Sequence, residues 1–130
     1  MPKTKTTAKP GKKIFIIEDD KFYSNVCKLK LNKEGYDVES ATNFDDFLLL
    51  AKKNKPDLIL MDIILPDHNG FEILKLLKKD PVLKSVKVIA YSSLGQLEDQ
   101  EKAKKLGAVD YFVKSEISIY ELIDKVKKYT

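Results

Sequence analysis

The chain has 130 residues, 43% of them hydrophobic, enough to bury the core of one compact domain without disulfides or a structural metal. Its net charge of +4 originates in residues 1–13, which carry five lysines and no acid; the remaining 19 Lys and 20 Asp and Glu nearly cancel. No run approaches the ~20 apolar residues of a membrane span, no secretory core follows Met1, and the lone Cys27 excludes an intrachain disulfide or a CxxC pair.

These limits predict a soluble, cytoplasmic protein with a disordered basic tail over 1–13 and a folded domain over 14–130. The tail interleaves no aromatic residue with its lysines, and none of the 24 basic residues is Arg. Bidentate reading of phosphate or guanine is therefore out of reach, and a nucleic-acid function is disfavoured.

Taken in order, Ile14–Ile17 reads as a buried strand and ends on the acids Glu18, Asp19 and Asp20. A helical stretch follows, with Phe22, Val26 and Leu29 at the spacing of an apolar face and Gly35 as its cap. Cys27 reads there as a small apolar residue. Tyr36–Ser40 is a weaker strand. Asn43 caps a helix that sets Phe44, Phe47, Leu48 and Ala51 on one side and stops before Pro56. Leu58–Met61 is the third strand, followed by Asp62; a third helix from Phe71 carries Ile73, Leu74 and Leu77 and breaks at Asp80-Pro81. Val86–Tyr91 precedes a polar helix over about 96–106 that closes at Gly107, and Val109–Val113 leads to a last helix opened by the capping box of Ser118 and Glu121.

Five strands alternating with five helices predict an α/β fold: a parallel sheet with right-handed crossovers and helices on both faces. Strands buried on both sides read as continuous apolar runs, as these do. All carboxyl ends of a parallel sheet meet at one edge, where ligands bind. There the sequence places Glu18, Asp19, Asp20, Asp62, Ser92, Ser93 and Lys114. Asp20 has an independent reason to be present, as an acid at a helix N-terminus. Carboxylates from two strands have no such reason, and together they call for a cation. An all-oxygen set suits Mg²⁺, while His68, with no second His or Cys nearby in sequence, suits a surface position and not a zinc site. Acids, a hydroxyl and a lysine around a metal fit a phosphoryl group. No GxxxxGK[ST] or GxGxxG loop is present to hold a nucleotide. A carboxylate can itself be the nucleophile, and Asp62 is the candidate.

At this point the chain closely resembles the receiver domain of bacterial two-component response regulators. The resemblance rests on the acidic pair Glu18 and Asp19, the D-x-x-x-P-x-x-x-G run of Asp62, Pro66 and Gly70, then Ser92, Tyr111 and Lys114 in order. It implies a flavodoxin-like doubly wound (βα)5 fold with strand order 2-1-3-4-5. It also implies a phosphorelay phosphoacceptor, not an enzyme, that assists its own Mg²⁺-dependent phosphotransfer and autodephosphorylation. Asp62 would accept the phosphoryl group of a sensor histidine kinase or histidine phosphotransfer protein. Glu18, Asp19, Asp62 and the backbone carbonyl of Ile64 would hold Mg²⁺, and Ser92 and Lys114 would bind the phosphoryl oxygens. Ser92 and Tyr111 would form a switch that remodels the face of the fourth helix, fifth strand and fifth helix for an output partner, in a monomer or a phosphorylation-dependent dimer.

Three departures bear on that resemblance. Ser115 follows Lys114 where the family has Pro, Ser93 replaces a small Ala, and Tyr91 is bulkier than the expected aliphatic residue and is expected to crowd the switch. Asp67 and His68 stand in the loop after Asp62, where they can influence phosphoryl lifetime or partner choice. The alternative function is a receiver-like module that binds partners without phosphorylation. With Thr130 directly after the last helix, an output domain is expected in another chain or in a longer parent protein.

Overall fold

In a computed structural model, residues 11–93 and 95–130 are described. Positions 1–10, most of the basic tail, lie outside the described residues. The strands are β1 (Lys13–Ile17), β2 (Asp37–Ala41), β3 (Leu58–Asp62), β4 (Lys87–Ser92) and β5 (Asp110–Val113). The helices are α1 (Lys21–Lys33), α2 (Phe44–Lys53), α3 (Gly70–Lys79), α4 (Leu97–Lys105) and α5 (Ile119–Tyr129), with a 3-10 turn at Lys114–Glu116. Every strand pair is parallel and the order is β2-β1-β3-β4-β5, the doubly wound arrangement expected. Lys13, expected to close the tail, is instead the first residue of β1. It pairs with Asp37, and its ammonium lies between Asp37 and Glu39 at 3.6 and 3.2 Å.

Side chains alternate along each strand, so the sheet feeds two cores. Phe15, Ile17, Ile59, Met61, Ala90 and Tyr111 pack on the side of α2, α3 and α4. Ile14, Ile16, Leu60, Ile89, Tyr91 and Phe112 pack on the opposite side, against α1 and α5. Local chemistry starts the helices: Asp20, Asn43 and Asn69 accept backbone N–H bonds at 3.2, 2.9 and 2.8 Å, and Ser118 and Glu121 close the expected capping box. Gly35 and Gly107, just past the ends of α1 and α4, take the left-handed conformation that terminates a helix.

The apolar face expected for α1 is corrected. Phe22 and Leu29 are 78% and 63% exposed, and the helix buries Ser24, Cys27 and Leu31. Both sets share helical spacing. Ser24 can be buried because its hydroxyl returns a hydrogen bond to the Lys21 carbonyl at 3.3 Å, which removes the penalty that polarity alone would suggest. Among the described residues, no helix is long and apolar enough to cross a membrane.

Candidate acidic site at the carboxyl edge of the sheet

Because β1 and β3 are neighbours, their carboxyl ends bring Glu18 and Asp62 together. The Glu18 backbone N–H is tied to the Ala41 carbonyl at 3.0 Å, and the side chain turns inward to 1% exposure. Both of its oxygens have protein donors. Oε1 accepts from the Tyr91 hydroxyl at 3.0 Å and from the Lys114 ammonium at 2.7 Å, and Oε2 accepts from the Asp20 N–H at 3.0 Å. Asp62 Oδ1 accepts from the Ile64 N–H at 2.9 Å, while Oδ2 lies 3.2 Å from Lys114. Asp19 is exposed at the rim.

The loop carrying Ile64 is folded back on itself. Ile64 bridges Asn69, and the Gly70 N–H donates to the Ile63 carbonyl at 2.8 Å. A Cβ at Gly70 would stand 2.5 Å from Ile63 Cα and 2.6 Å from its carbonyl oxygen, so only glycine allows this backbone approach. That contact accounts physically for the glycine of the D-x-x-x-P-x-x-x-G run.

Lys114, at the end of β5, reaches the acids across two aromatic rings, 4.5 Å from the Tyr23 centroid and 5.3 Å from that of Tyr91. Burial lowers the tendency of Lys114 to hold its proton, but the Glu18 and Asp62 carboxylates outweigh it and raise its pKa. For Glu18 the balance is opposite. Burial pushes its carboxyl up, and Lys114 and the Asp20 N–H recover only part of that shift. The two directions agree physically, since Glu18 is the more deeply buried partner and loses more hydration.

Ser92 and Tyr111 are buried on the other side of the sheet, and the Tyr111 hydroxyl hydrogen-bonds Ser92. Tyr111 thus already points inward. Tyr91, expected to crowd this pair, does not. The β4–β5 register sets Ala90 beside Tyr111 and Tyr91 beside Phe112, so Tyr91 lies on the opposite face and meets Glu18. As the strand neighbour of Ser92, Tyr91 takes the opposite face by the alternation of side chains along β4, a placement the sequence already contains. Asp67 accepts the Phe44 N–H at 3.1 Å, linking the loop to α2. His68 lies partly exposed, edge-on to Phe44 and 3.7 Å from both Asp45 and Asp67.

Glu18, Asp19 and Asp62 each offer a carboxylate oxygen, and these oxygens lie within 4.8 Å of one another. The Lys114 ammonium between two of them marks a position where positive charge is already favoured. An all-oxygen donor set of this density fits a small hard divalent cation such as Mg²⁺.

Comparison with known proteins gives the family and the fold. The family model described as the response regulator receiver domain matches residues 14–127. The sporulation initiation phosphotransferase F of Bacillus subtilis is 36% identical over 119 residues, which span 92% of this chain and 94% of that protein. The polar-differentiation response regulator DivK of Brucella anthropi is 32% identical over 118 residues, spanning 91% and 95%. Among solved structures, the Francisella response regulator 1452 receiver domain superposes with a TM-score of 0.83 at 31% identity, covering 92% of this chain and 96% of that one. The Vibrio cholerae chemotaxis protein CheY4 gives 0.85 at 22% identity over 92% and 99%, a likeness of fold.

Proposed function

The chain belongs to the response regulator receiver domain family, and on that footing we propose that Asp62 accepts a phosphoryl group from a phosphohistidine of a sensor kinase or a histidine phosphotransfer protein. The observation that carries the reading is the Lys114 ammonium bridging Glu18 and Asp62 at the joined ends of β1 and β3. It supports a site organised around compensating negative charge on Asp62 and on whatever Asp62 receives.

A carboxylate oxygen of Asp62 attacks phosphorus, the P–N bond to imidazole breaks, and an aspartyl phosphate forms. The Ile64 N–H holds Oδ1 and leaves Oδ2 facing Lys114, so one oxygen is fixed and the other presented. Lys114 then follows the charge onto the phosphoryl oxygens, and Ser92 gives up its Tyr111 partner to donate there as well. Glu18, Asp19, Asp62 and the Ile64 carbonyl are the groups that would hold Mg²⁺, which when bound supplies charge neutralisation of the transferring phosphoryl group. Release of Tyr111 from Ser92 alters the α4–β5–α5 face, and an output partner reads that change.

Incubation with acetyl phosphate and Mg²⁺ tests the reading. A covalent adduct of one phosphoryl group is expected, lost on chelation of the metal and absent in Asp62→Asn. An adduct that survives in Asp62→Asn at full rate rejects Asp62 as acceptor. No adduct, and no response to beryllofluoride, favours a phosphorylation-independent binding module.

A further inference from the structure

Glu18 is held by two donors on the same oxygen, and only one of them is free to leave. Lys114 is a flexible cation, 19% exposed, that also contacts Asp62. Tyr91 is 1% exposed, and its ring is stacked on Phe112 at 4.9 Å and 15° and tilted against Tyr23 at 5.8 Å. Packed in this way, its hydroxyl is fixed in direction. It donates to Glu18 Oε1 at 3.0 Å, since an ionised carboxylate can only accept.

We propose that Tyr91 is a positioning residue for the metal site, holding Glu18 in its metal-facing orientation after Lys114 has moved to the phosphoryl group. The inference rests on the metal-assisted phosphoacceptor reading above. When Lys114 departs, the Asp20 N–H still anchors Oε2, and among the described residues only Tyr91 is left to fix Oε1. A neutral hydroxyl suits this role because it orients the carboxylate without placing positive charge against the incoming cation. Donors behind a metal-binding group set its direction, and losing one weakens metal binding while the ligand itself remains. The aromatic residue at this position of β4 thus serves the acids of β1, on the face of the sheet opposite Ser92 and Tyr111.

The test is calorimetric titration of Mg²⁺ into the full chain in excess beryllofluoride, which occupies the phosphoryl position and draws Lys114 off Glu18. Tyr91→Phe keeps the ring and removes one oxygen, and it should weaken Mg²⁺ binding about tenfold. In acetyl phosphate labelling, the Mg²⁺ concentration for half-maximal rate should rise in parallel while the rate at saturating Mg²⁺ changes much less. In a Glu18→Gln background the same substitution should have little further effect. Tyr36→Phe removes a hydroxyl from the same core, one bonded to Thr130 at 2.7 Å, and should leave Mg²⁺ binding unchanged. In the wild type, the Tyr91 hydroxyl proton should stay protected from exchange when Mg²⁺ and beryllofluoride are added, a measurement that needs no variant. A loss smaller than about threefold, an equal loss in the Glu18→Gln background, or an unprotected hydroxyl overturns the proposal. A wild-type chain that binds no Mg²⁺ rejects the metal reading itself, and this inference with it.

Discussion

The Lys114 ammonium lies 2.7 Å from the fully buried carboxylate of Glu18, and the same group reaches Asp62 at 3.2 Å. Removing it leaves two carboxylates facing each other with little water to screen them. Lys114→Met should therefore destabilise the metal-free protein by about 2 kcal/mol in urea unfolding, less than for a fully buried pair because the lysine is partly solvated. On the proposed metal reading Mg²⁺ would replace the missing charge, so it should stabilise Lys114→Met more than the wild type. Equal gains from Mg²⁺ in both proteins would count against a shared cation position.

Gly70 makes a second demand on the site from a distance. Its Cα packs on Ile63, and an added Cβ meets backbone atoms, which cannot swing aside as a side chain can. Gly70→Ala should cost about 1–3 kcal/mol through forced displacement of the β3–α3 loop. That loop holds the Ile64 N–H on Asp62 Oδ1. The variant should accordingly bind Mg²⁺ more weakly even where it remains folded, as calorimetry below its unfolding temperature would show. An unchanged melting temperature would mean that the loop yields without strain.

How much of this was legible beforehand depends on which physical signal each feature uses. The sheet was readable because Ile14–Ile17, Leu58–Met61 and Val86–Tyr91 are apolar runs of strand length, each bounded by turn or cap residues. The acids, Ser92 and Lys114 were readable because parallel topology sends every strand end to one edge. The buried face of α1 was not, since Phe22 and Leu29 satisfy the helical period as well as Ser24, Cys27 and Leu31 do, and hydrophobicity favours the wrong set. Nor was the partner of Tyr91. That contact depends on β4 lying next to β3 and on a side-chain direction set by pleat, and a bulky residue near a switch looks the same in sequence whichever face it takes.

Asp110 offers a pH test away from the acidic site. Burial pushes its carboxyl up, but Lys125 at 2.9 Å, the Tyr111 N–H at 2.8 Å and the Tyr129 hydroxyl at 3.2 Å together outweigh burial and hold its pKa below the ordinary aspartate value of 3.8. A depressed folded-state pKa means that the unfolded chain takes up the proton first as pH falls. The stability due to Asp110 is thus complete above its unfolded value and lost as pH drops through its folded one. Asp110→Asn should be less stable than the wild type near pH 7, with the gap closing below about pH 4. Urea midpoints across that range check this, and a gap that is constant with pH would assign the effect to packing.

The bond between the Tyr111 hydroxyl and Ser92 gives the last prediction. If Ser92 is to serve the phosphoryl group, this contact belongs to the resting state and is surrendered in the activated one. Tyr111→Phe keeps the ring and removes the contact, at a cost of about 1 kcal/mol to the resting state alone. Since the activated state has already given up that bond, the substitution narrows the gap between the states. By linkage, Tyr111→Phe should bind beryllofluoride with Mg²⁺ more tightly than the wild type, by up to about fivefold. Fluorine NMR titration of both proteins measures this. Weaker binding in the variant would show that the hydroxyl stabilises the activated state, and that Ser92 and Tyr111 move together and do not part.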